Sequence, residues 1–400
     1  MACKPINKGG SRWLIRACCG YEGTKKKMIN RTITLDPTMA AKAQLREAEK
    51  QTTLLEAEYQ NGKITAGKQI TLASFSKQFM EDYVQRKGLS PKTVAGYRQL
   101  LDSRILPMLG HMRLRDIKPM TLNRFYSSIE KEAPKNQNKG GKLSGTYLAK
   151  YHRLIHNMLE RAVRWQLIAI NPAANVDPPA PDTEEFTVYD AQQSLQLLEA
   201  LDKEKTQWRV LVTLALYSQM RRGELVALDW GDVSPDFTSI DIRRNVIYVP
   251  GQGAIIKAPK TKASKRQITL SSTAAEALKE LKRSQNQQRL ALGDGWIDSG
   301  AIFTQWNGER MNVESPTKWF GKFLKANGLP HIRFHDLRHT GASLLITDAG
   351  LDVETVKKRL GHARASTTMD IYGHAFAAHD SRPADALDSL LTRPGKAVNR

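Results

Sequence analysis

Hydrophobic positions recur at two different spacings at the start of the chain, and the spacing changes near residue 36. Between residues 11 and 35, apolar residues such as Trp13 and Ile15 alternate with polar ones, and a lysine-rich, glycine-containing stretch interrupts the alternation. Alternation with a period of two predicts two strands joined by a turn. Residues 36–59 are rich in Ala, Glu, Gln and Leu, which predicts a helix. We therefore expect the first 66 residues to form a small strand–strand–helix unit.

Residues 70–172 carry apolar side chains at spacings of three and four, which predict amphipathic helices. Gly110, in a Leu-Gly-His tripeptide, is expected to end a helix as a left-handed cap. Four helices are predicted: one around Phe75, Phe79 and Tyr83, one that begins with Ser90 and Pro91, one over residues 121–129 and one over about residues 144–165.

Residues 173–186 are rich in proline, alanine, asparagine and acidic residues, and this composition predicts a linker. Residues 187–380 mix helical and strand patterns and are expected to form a second large domain, followed by a tail over residues 381–400. The fold class predicted for the chain is mainly α with small antiparallel β-sheets, an α+β fold. The first predicted elements of the second domain are a helix capped by Asp190 that carries Leu195, Leu198 and Leu201, a buried helix from Trp208 to Ser218, and another that carries Leu225, Leu228 and Trp230. Strands are predicted over residues 240–249 and 254–270, and the second stretch contains a lysine-rich hairpin turn over residues 260–265. Further helices are predicted from Ser271 onward.

The charge of the chain indicates a partner. Lysine and arginine number 61 against 40 acidic residues, which gives a net charge of +21 at pH 7. A basic excess spread along the whole chain favours nucleic acid as the partner, although a basic protein with no such partner would have the same composition. The candidates for DNA contacts lie on the predicted strands, turns and helix starts: Arg12, Arg16, Lys25, Lys26, Lys27, Arg31, Lys92 and Arg266.

Cysteine content and apolar runs indicate the compartment. The three cysteines, two of which are adjacent, fit neither a disulfide framework nor a zinc site, and this favours a reducing cytosol. The first residues lack the apolar core of a signal peptide, and the strongest apolar run, over residues 210–217, is far shorter than the roughly 20 residues that cross a bilayer. We expect a cytoplasmic protein with no membrane partner.

Two arginines are candidates for binding a phosphodiester. Displacement at phosphorus adds negative charge to the non-bridging oxygens, and fixed cationic donors stabilise that charge. Arg221 and Arg338 suit this role because a guanidinium donates to two oxygens at once and stays charged. A structural ion pair is the alternative for either residue alone. Glu224 is spaced to hold Arg221, and His335 lies on the helix face of Arg338, whereas His339 is expected to be structural or to support the site from behind.

A tyrosine follows a histidine by ten residues near the end of the chain. His362 comes directly after Gly361, the expected end of a helix, and an imidazole at that turn could donate to a phosphate. Tyr372 is the candidate nucleophile, although a phenol with a pKa near 10 needs neighbouring cations and a base. A packed aromatic side chain is the alternative. A lysine could protonate the leaving oxygen. Four lysines compete for this role: Lys257, Lys260, Lys262 and Lys265.

These motifs occur together in a recognisable order. They are Met-Arg-Arg-Gly-Glu at residues 220–224, Pro-Lys-Thr-Lys at 259–262, His-Asp-Leu-Arg-His at 335–339, Leu-Gly-His at 360–362 and Asp-Ile-Tyr at 370–372. As a set they resemble the signature of the tyrosine recombinases, the phage-integrase family. The resemblance covers roughly residues 70–375, and the first 65 residues match more loosely.

The resemblance implies a fold and an activity. It implies an N-terminal arm-type DNA-binding unit, a helical SAM-like core-binding domain and a mixed α/β catalytic domain of the DNA breaking-rejoining type. It implies a homotetramer that binds core and arm attachment sites in double-stranded DNA and integrates or excises a prophage or mobile element in the nucleoid of a bacterial host. An excisionase and a host DNA-bending factor are the implied accessory partners.

The resemblance also assigns roles to residues. Tyr372 would attack the phosphodiester and form a 3′-phosphotyrosine, and Lys260 would be the general acid. His335 would assist proton transfer. The groups that would bind the phosphate are Arg221, Arg338 and His362.

One residue departs from the family pattern, and no cofactor is predicted. Gln219 stands where a glycine is common before the first arginine, so this turn is expected to differ slightly. The ten-residue interval from His362 to Tyr372 is one of two spacings expected for the family. The sequence shows neither an acidic triad with metal spacing nor a glycine-rich phosphate loop, so neither metal nor ATP is expected.

Three other functions share parts of this pattern. They are an Xer-like chromosome-dimer resolvase, a type IB topoisomerase and a non-catalytic DNA-binding regulator on a recombinase fold. The extra unit over residues 1–65 favours an integrase over a resolvase, and the presence of every reacting group disfavours a regulator. Residues 384–391 predict a short amphipathic helix that would dock on a neighbouring protomer or on its own domain.

Overall fold

The computed structural model describes residues 3–22, 25–60, 70–131, 143–177, 180, 187–259 and 264–361. For residues 19–22, 25–27 and 58–60 it describes the backbone alone. The chain divides into two units, Met1–Glu184 and Glu185–Arg400. The predictions for Lys260, Lys262, His362, Tyr372 and the tail lie outside the described residues.

The N-terminal sheet has three antiparallel strands in sequence order, and one helix packs on it. The predicted alternation is confirmed, because Trp13, Ile15 and Ala17 are buried while Arg12 is exposed. Trp13 Nε1 donates to Gln44 Oε1 of the helix at 3.3 Å, which pairs the polar atom of a buried indole. The elements are β1 Ile6–Asn7, β2 Arg12–Glu22, β3 Lys25–Thr34 and α1 Ala41–Gln60.

Two details of this unit differ from the prediction. Strand β1 has only two residues, both exposed, so no hydrophobic pattern marks it. Helix α1 begins at Ala41 rather than near Asp36, because Asp36 forms a turn of its own. Its Oδ1 accepts hydrogen bonds from the Thr38 backbone N–H at 2.9 Å and from the Thr38 hydroxyl at 2.7 Å. Such side-chain bonds to a nearby backbone compete with helix formation.

Four helical segments follow in the first unit, as predicted. Two serines cap them as expected: Ser90 Oγ accepts from the Thr93 N–H and Ser144 Oγ accepts from the Tyr147 N–H, both at 3.2 Å. The helices are α2 Leu72–Gln78, which continues in wider π turns over Phe79–Gln85; α3 Pro91–Leu100, which continues through Leu101–Ile105 into α4 Leu106–Leu109; α5 Pro119–Lys131; and α6 Gly145–Arg164.

Gly110 ends α4, but the prediction of a left-handed cap is wrong. Its φ is −60° and its ψ is −32°, a right-handed conformation. A Cβ at this position would lie 2.4 Å from the carbonyl oxygen of Leu106. Glycine is therefore needed here for a close approach of backbone to backbone, and not for handedness.

The core of the helical domain extends into the predicted linker. Ala173 and Val176 are buried in it, and the chain between them forms a short 3-10 turn. Asn171 Nδ2 donates to the His156 carbonyl at 3.2 Å, and its Oδ1 accepts from the Ala173 N–H at 3.0 Å. The domain therefore reaches Val176, past the predicted boundary at residue 172.

The second unit is mainly helical, and the predicted helix from Trp208 to Ser218 is confirmed as a buried one. Asp190 caps the first helix as predicted, in a reciprocal pair of bonds with Gln193. Among the leucines expected on that helix, Leu201 is buried, whereas Leu195 is 60% exposed because the inward face presents Leu197 in its place. The helices are α7 Ala191–Leu201, α8 Thr206–Ser218, α9 Arg222–Val226, α10 Ser272–Leu292, α11 Ser315–Ala326, α12 Asp336–Thr347 and α13 Val353–Leu360.

The strands of this unit pair differently from the prediction. They are β4 Ser239–Ile242, β5 Asn245–Val249, β6 Gly253–Lys257 and β7 Arg266–Thr269. Strand β5 pairs with β6, and β4 pairs with β7, with Ile240 opposite Ile268 in the core. The lysine-rich segment therefore connects two different two-stranded sheets and is not the turn of one hairpin. Lys257 is half-buried and Lys265 is exposed at the ends of this segment.

Within the described ranges, no helix is both long enough and apolar enough to cross a membrane.

Two helix glycines give a matched test of the packing in the second unit. A Cβ on Gly341 of α12 would lie 2.2 Å from the Leu216 carbonyl oxygen and 2.8 Å from Gln219 Nε2, whereas a Cβ on Gly321 of α11 would meet nothing within 4 Å. Gly341→Ala should lower the free energy of unfolding by about 1–3 kcal/mol through overpacking. Gly321→Ala should raise it by up to about 1 kcal/mol, since alanine favours a helix over glycine. Urea unfolding followed by tryptophan fluorescence measures both, and equal effects would contradict the packing described here.

Candidate active site

Arg221 lies in the turn between α8 and α9, where the carboxylate of Glu224 holds it. Glu224 Oε2 accepts from the Arg221 backbone N–H at 3.0 Å, and Oε1 accepts from Arg221 Nη1 at 2.9 Å. The Arg221 side chain is 36% exposed while that of Glu224 is 3% exposed. The predicted support of Arg221 by Glu224 is therefore present, and it leaves part of the guanidinium open to solvent.

Arg266 of β7 donates to the same carboxylate. Its Nη2 lies 3.0 Å from Glu224 Oε2, and its side chain is only 7% exposed. Burial alone would raise the pKa of Glu224, but the guanidiniums of Arg266 and Arg221 outweigh it and hold that pKa below its usual range. Glu224 is therefore ionised at neutral pH. The prediction that Arg266 contacts DNA is wrong in this structure, because its guanidinium is buried against Glu224.

Arg338 is buried near the start of α12, with 2% of its surface exposed. Its Nη1 donates to the carbonyl of Gln219 at 2.6 Å, and its Nη2 donates to the carbonyl of Leu360 at 2.7 Å. These two acceptors carry no formal charge. They fix the orientation of the guanidinium plane.

His335 lies directly before α12, beside both arginines. Desolvation of its ring by surrounding atoms, followed by the neighbouring His339, Arg338 and Arg221, lowers the pKa of His335 to about 4, although the side chain as a whole is exposed. His339 packs edge-on against His335, with ring centroids 5.3 Å apart. Burial also lowers the pKa of His339. The expectation that His339 supports the site from behind agrees with this contact.

Arg359 belongs to the same network, and sequence reasoning missed it. Its Nε donates to Gln219 Oε1 at 2.6 Å, its Nη2 donates to the Tyr217 carbonyl at 2.8 Å, and its own carbonyl accepts from Arg266 Nε at 2.7 Å. Burial, and then the charge of Arg266, lower the pKa of Arg359. The one available signal was its position directly before the Leu-Gly-His motif.

Helix α13 ends where the remaining predicted site residues begin. Gly361 has φ +67° and caps α13 in the left-handed region, as predicted. His362 and Tyr372 follow it in sequence and lie outside the described residues, as does Lys260. Leu360, the residue before Gly361, accepts the hydrogen bond from Arg338. The end of α13 is thereby held next to Arg338.

The candidate DNA-contacting residues of the first unit lie at its surface. Arg12 is exposed on β2, Arg31 is exposed on β3, and Lys92 is exposed in the first turn of α3. Arg16 is half-buried on β2. For the candidate residues 25–27 the backbone lies in β3 and the side chains are outside the description.

The hydrogen-bonded residues of the second unit carry more positive than negative charge. Among the described residues that hydrogen bonds join here, there are four guanidiniums and one carboxylate. Guanidiniums held in fixed positions are suited to bind an anion with several oxygens, such as a phosphodiester.

Two protein-family models match the chain. The model for the Phage integrase family matches residues 187–379, which hold this network. The model for Phage integrase, N-terminal SAM-like domain, matches residues 71–129, in the helical domain. Together they match more than half of the 400 residues.

Two of the similar curated proteins are integrases by name. The chain is 27% identical to the ICEBs1 integrase of Bacillus subtilis (strain 168) over 237 residues. These residues cover 59% of this chain and 64% of that relative, which is slightly less than two thirds of its length. It is 27% identical over 317 residues to the putative prophage phiRv2 integrase of Mycobacterium tuberculosis, which covers 78% of each chain.

The fold is also similar to that of a solved structure. The Tn1549 transposon integrase in complex with circular intermediate DNA aligns with a TM-score of 0.64 at 19% identity, over 79% of this chain and 99% of that one. At this identity the likeness concerns the fold alone. Family models, relatives and fold agree with one another, and the chain belongs to the phage integrase family, the tyrosine recombinases.

Proposed function

We propose that the chain is a site-specific DNA recombinase that integrates and excises a prophage or another mobile element. The observation that carries this is the hydrogen-bonded network that places the guanidiniums of Arg221 and Arg338 beside His335. A scissile phosphodiester is the anion that such a site would stabilise most as charge develops on its oxygens. Two similar proteins are named integrases, one of them a putative prophage integrase, and these names support the assignment to a prophage or another mobile element.

The proposed reaction transfers one DNA strand to the protein and back. The hydroxyl of Tyr372 attacks phosphorus, the bond from phosphorus to the 5′ oxygen breaks, and a 3′-phosphotyrosine forms. Lys260 protonates the leaving 5′ oxygen. A free 5′ hydroxyl from a second duplex then attacks the phosphotyrosine and releases Tyr372. The ester keeps the bond energy, so the exchange needs no ATP.

His335 is suited to take the proton of the tyrosine. With a pKa of about 4 its imidazole is neutral at pH 7, so a ring nitrogen is free to accept a proton. An ordinary histidine would be partly protonated at that pH. Arg221 and Arg338 hold the phosphate oxygens in this scheme, together with His362.

The first unit is proposed to bind DNA outside the cleavage site. The outer face of its sheet carries Arg12 and Arg16, opposite the face that packs on α1. A sheet with a cationic outer face suits phosphate contacts and entry into a groove. This unit supports an integrase, which binds arm sites, over a chromosome-dimer resolvase. We propose that four protomers assemble on two duplexes.

Replacing the nucleophile tests the chemistry. Tyr372→Phe removes one oxygen and should abolish the covalent adduct on a nicked duplex that carries the joined ends of the element, while DNA affinity stays unchanged. Tyr248→Phe is the matched control, because Tyr248 is an exposed tyrosine of the same unit on β5, and it should form adduct at the normal rate. Denaturing gels measure the adduct. Persistent adduct in Tyr372→Phe would assign the attack to another residue.

The protonation state of His335 can be measured directly. In an NMR titration of the histidine rings, the signal that is lost in His335→Gln should titrate with a pKa near 4 in the free chain. Binding of a duplex should raise that pKa, because a phosphate stabilises the imidazolium. A pKa near 6.5 in the free chain, or no rise on binding, would remove His335 from the phosphate site.

The salt dependence of DNA binding tests whether the outer face of the sheet in the first unit contacts DNA. Arg12→Ala should weaken binding to arm-site DNA and reduce the slope of log affinity against log salt by about 0.9 for a lost phosphate contact. Lys42→Ala is the control, since it removes an exposed charge from α1 on the other side of the sheet. Filter binding at several salt concentrations measures both slopes. Equal slopes for the two variants would reject the outer face as the DNA surface.

A further inference from the structure

Gln219 occupies a backbone conformation that costs energy for its residue type. Its φ is +51° and its ψ is +29°, in the left-handed region, and it is 3% exposed. A non-glycine residue there costs on the order of 1–3 kcal/mol. Its amide Nε2 donates to the carbonyls of Leu216 and Tyr217, at 2.6 Å and 3.0 Å. A glycine would avoid the backbone cost but would lack this amide.

Three helices meet at Gln219. It ends α8, its backbone carbonyl accepts from Arg338 of α12, and its side-chain Oε1 accepts from Arg359 of α13. Helix α12 approaches so closely that a Cβ on Gly341 would lie 2.8 Å from the Gln219 amide nitrogen. The side chain therefore lies in a closely fitted space between the arginine-bearing turn and the helix that precedes His362.

The side-chain amide of Gln219 adds no charge to the site. Gln219 Oε1 orients the Arg359 guanidinium at 2.6 Å but carries no negative charge. A carboxylate at this position would bind Arg359 more strongly, but it would cancel part of the positive potential around Arg338. An amide fixes the geometry and leaves the cationic field available to an anion.

We propose that Gln219 and Arg359 act as a positioning clamp for the proposed recombination reaction. The clamp joins the turn that carries Arg221 to the end of α13, two residues before the segment that starts at His362. It thereby sets where α13 ends relative to Arg221 and Arg338, directly before the part of the sequence that contains His362 and Tyr372. Neither Gln219 nor Arg359 touches the reacting atoms in this scheme. Their effect falls on the rate of strand cleavage rather than on DNA affinity.

The variant Gln219→Gly distinguishes a positioning role of the side chain from a structural one. The variant keeps the backbone carbonyl for Arg338 and removes the cost of the left-handed φ, and it loses the bond to Arg359. Gln219→Asn is a second variant, which tolerates the same φ but has an amide shorter by one methylene. Arg359→Lys keeps the charge and loses the fixed fork of donors. Lys358→Ala is the control, because it removes an exposed charge from the same turn of α13.

Single-turnover formation of adduct on the nicked duplex is the main measurement, beside the dissociation constant and the melting temperature. Gln219→Gly, Gln219→Asn and Arg359→Lys should each slow adduct formation about 10-fold to 100-fold, since a misplacement near 1 Å costs that much. Affinity and melting temperature should stay close to those of the wild type, and Lys358→Ala should cleave normally. The double variant Gln219→Gly with Arg359→Lys should be no slower than the slower single variant.

Several outcomes would contradict the proposal that Gln219 and Arg359 form a positioning clamp. One is a normal rate of cleavage in both Gln219 variants. Another is a double variant in which the losses of cleavage rate from the two single variants add up. If a fall in melting temperature accounted for the lower rate of adduct formation, Gln219 and Arg359 would only support the structure and would not position the reacting groups. The wild type is assayed first, because the clamp rests on the proposed function. Absence of adduct with the wild type rejects the recombinase, whereas adduct with normal variants rejects the clamp alone.

Discussion

The ionised carboxylate of Glu224 is the interaction on which the rest of the site depends. It is buried, and it receives hydrogen bonds from Arg221 and Arg266, which come from α9's turn and from β7. Removal of one partner from such a buried pair typically costs about 3–5 kcal/mol, because the other charge is left uncompensated. Arg266 also donates to the Arg359 carbonyl, so one carboxylate sets the positions of three elements.

The other two arginines of the network also donate hydrogen bonds to groups without charge. Arg338 donates to the Gln219 and Leu360 carbonyls, and Arg359 donates to the Gln219 amide oxygen and the Tyr217 carbonyl. Buried cations with uncharged acceptors reduce the stability of the free protein. The same arrangement is preorganised for an anion, because its donors need little rearrangement when negative charge arrives. Stability and anion binding therefore make opposite demands on these positions.

Local patterns predicted the local parts of this arrangement. The three-residue spacing of Arg221 and Glu224, the caps at Ser90 and Asp190, and the left-handed Gly361 all depend on neighbours within one helical turn. The role of Arg266 was misjudged, since its carboxylate partner is 42 residues away. Arg359 was missed because Gln219 is 140 residues away. The strand pairing failed for a similar reason: a lysine-rich turn suggested a hairpin, but β7 pairs with the more distant β4.

The pairing of β7 with β4 explains how two separate segments reach one site. In that register Arg266 lies opposite Ile242, a buried residue, which fixes the backbone from which the arginine extends to Glu224. The lysine-rich segment enters β7 at that same residue. The segment with His362 and Tyr372 leaves α13 beside Arg359, whose carbonyl accepts from Arg266. The hydrogen bond from Arg266 to the Arg359 carbonyl thus joins the strand that follows the lysine-rich segment to the helix that precedes His362, so that a displacement of this contact would move β7 and α13 relative to each other.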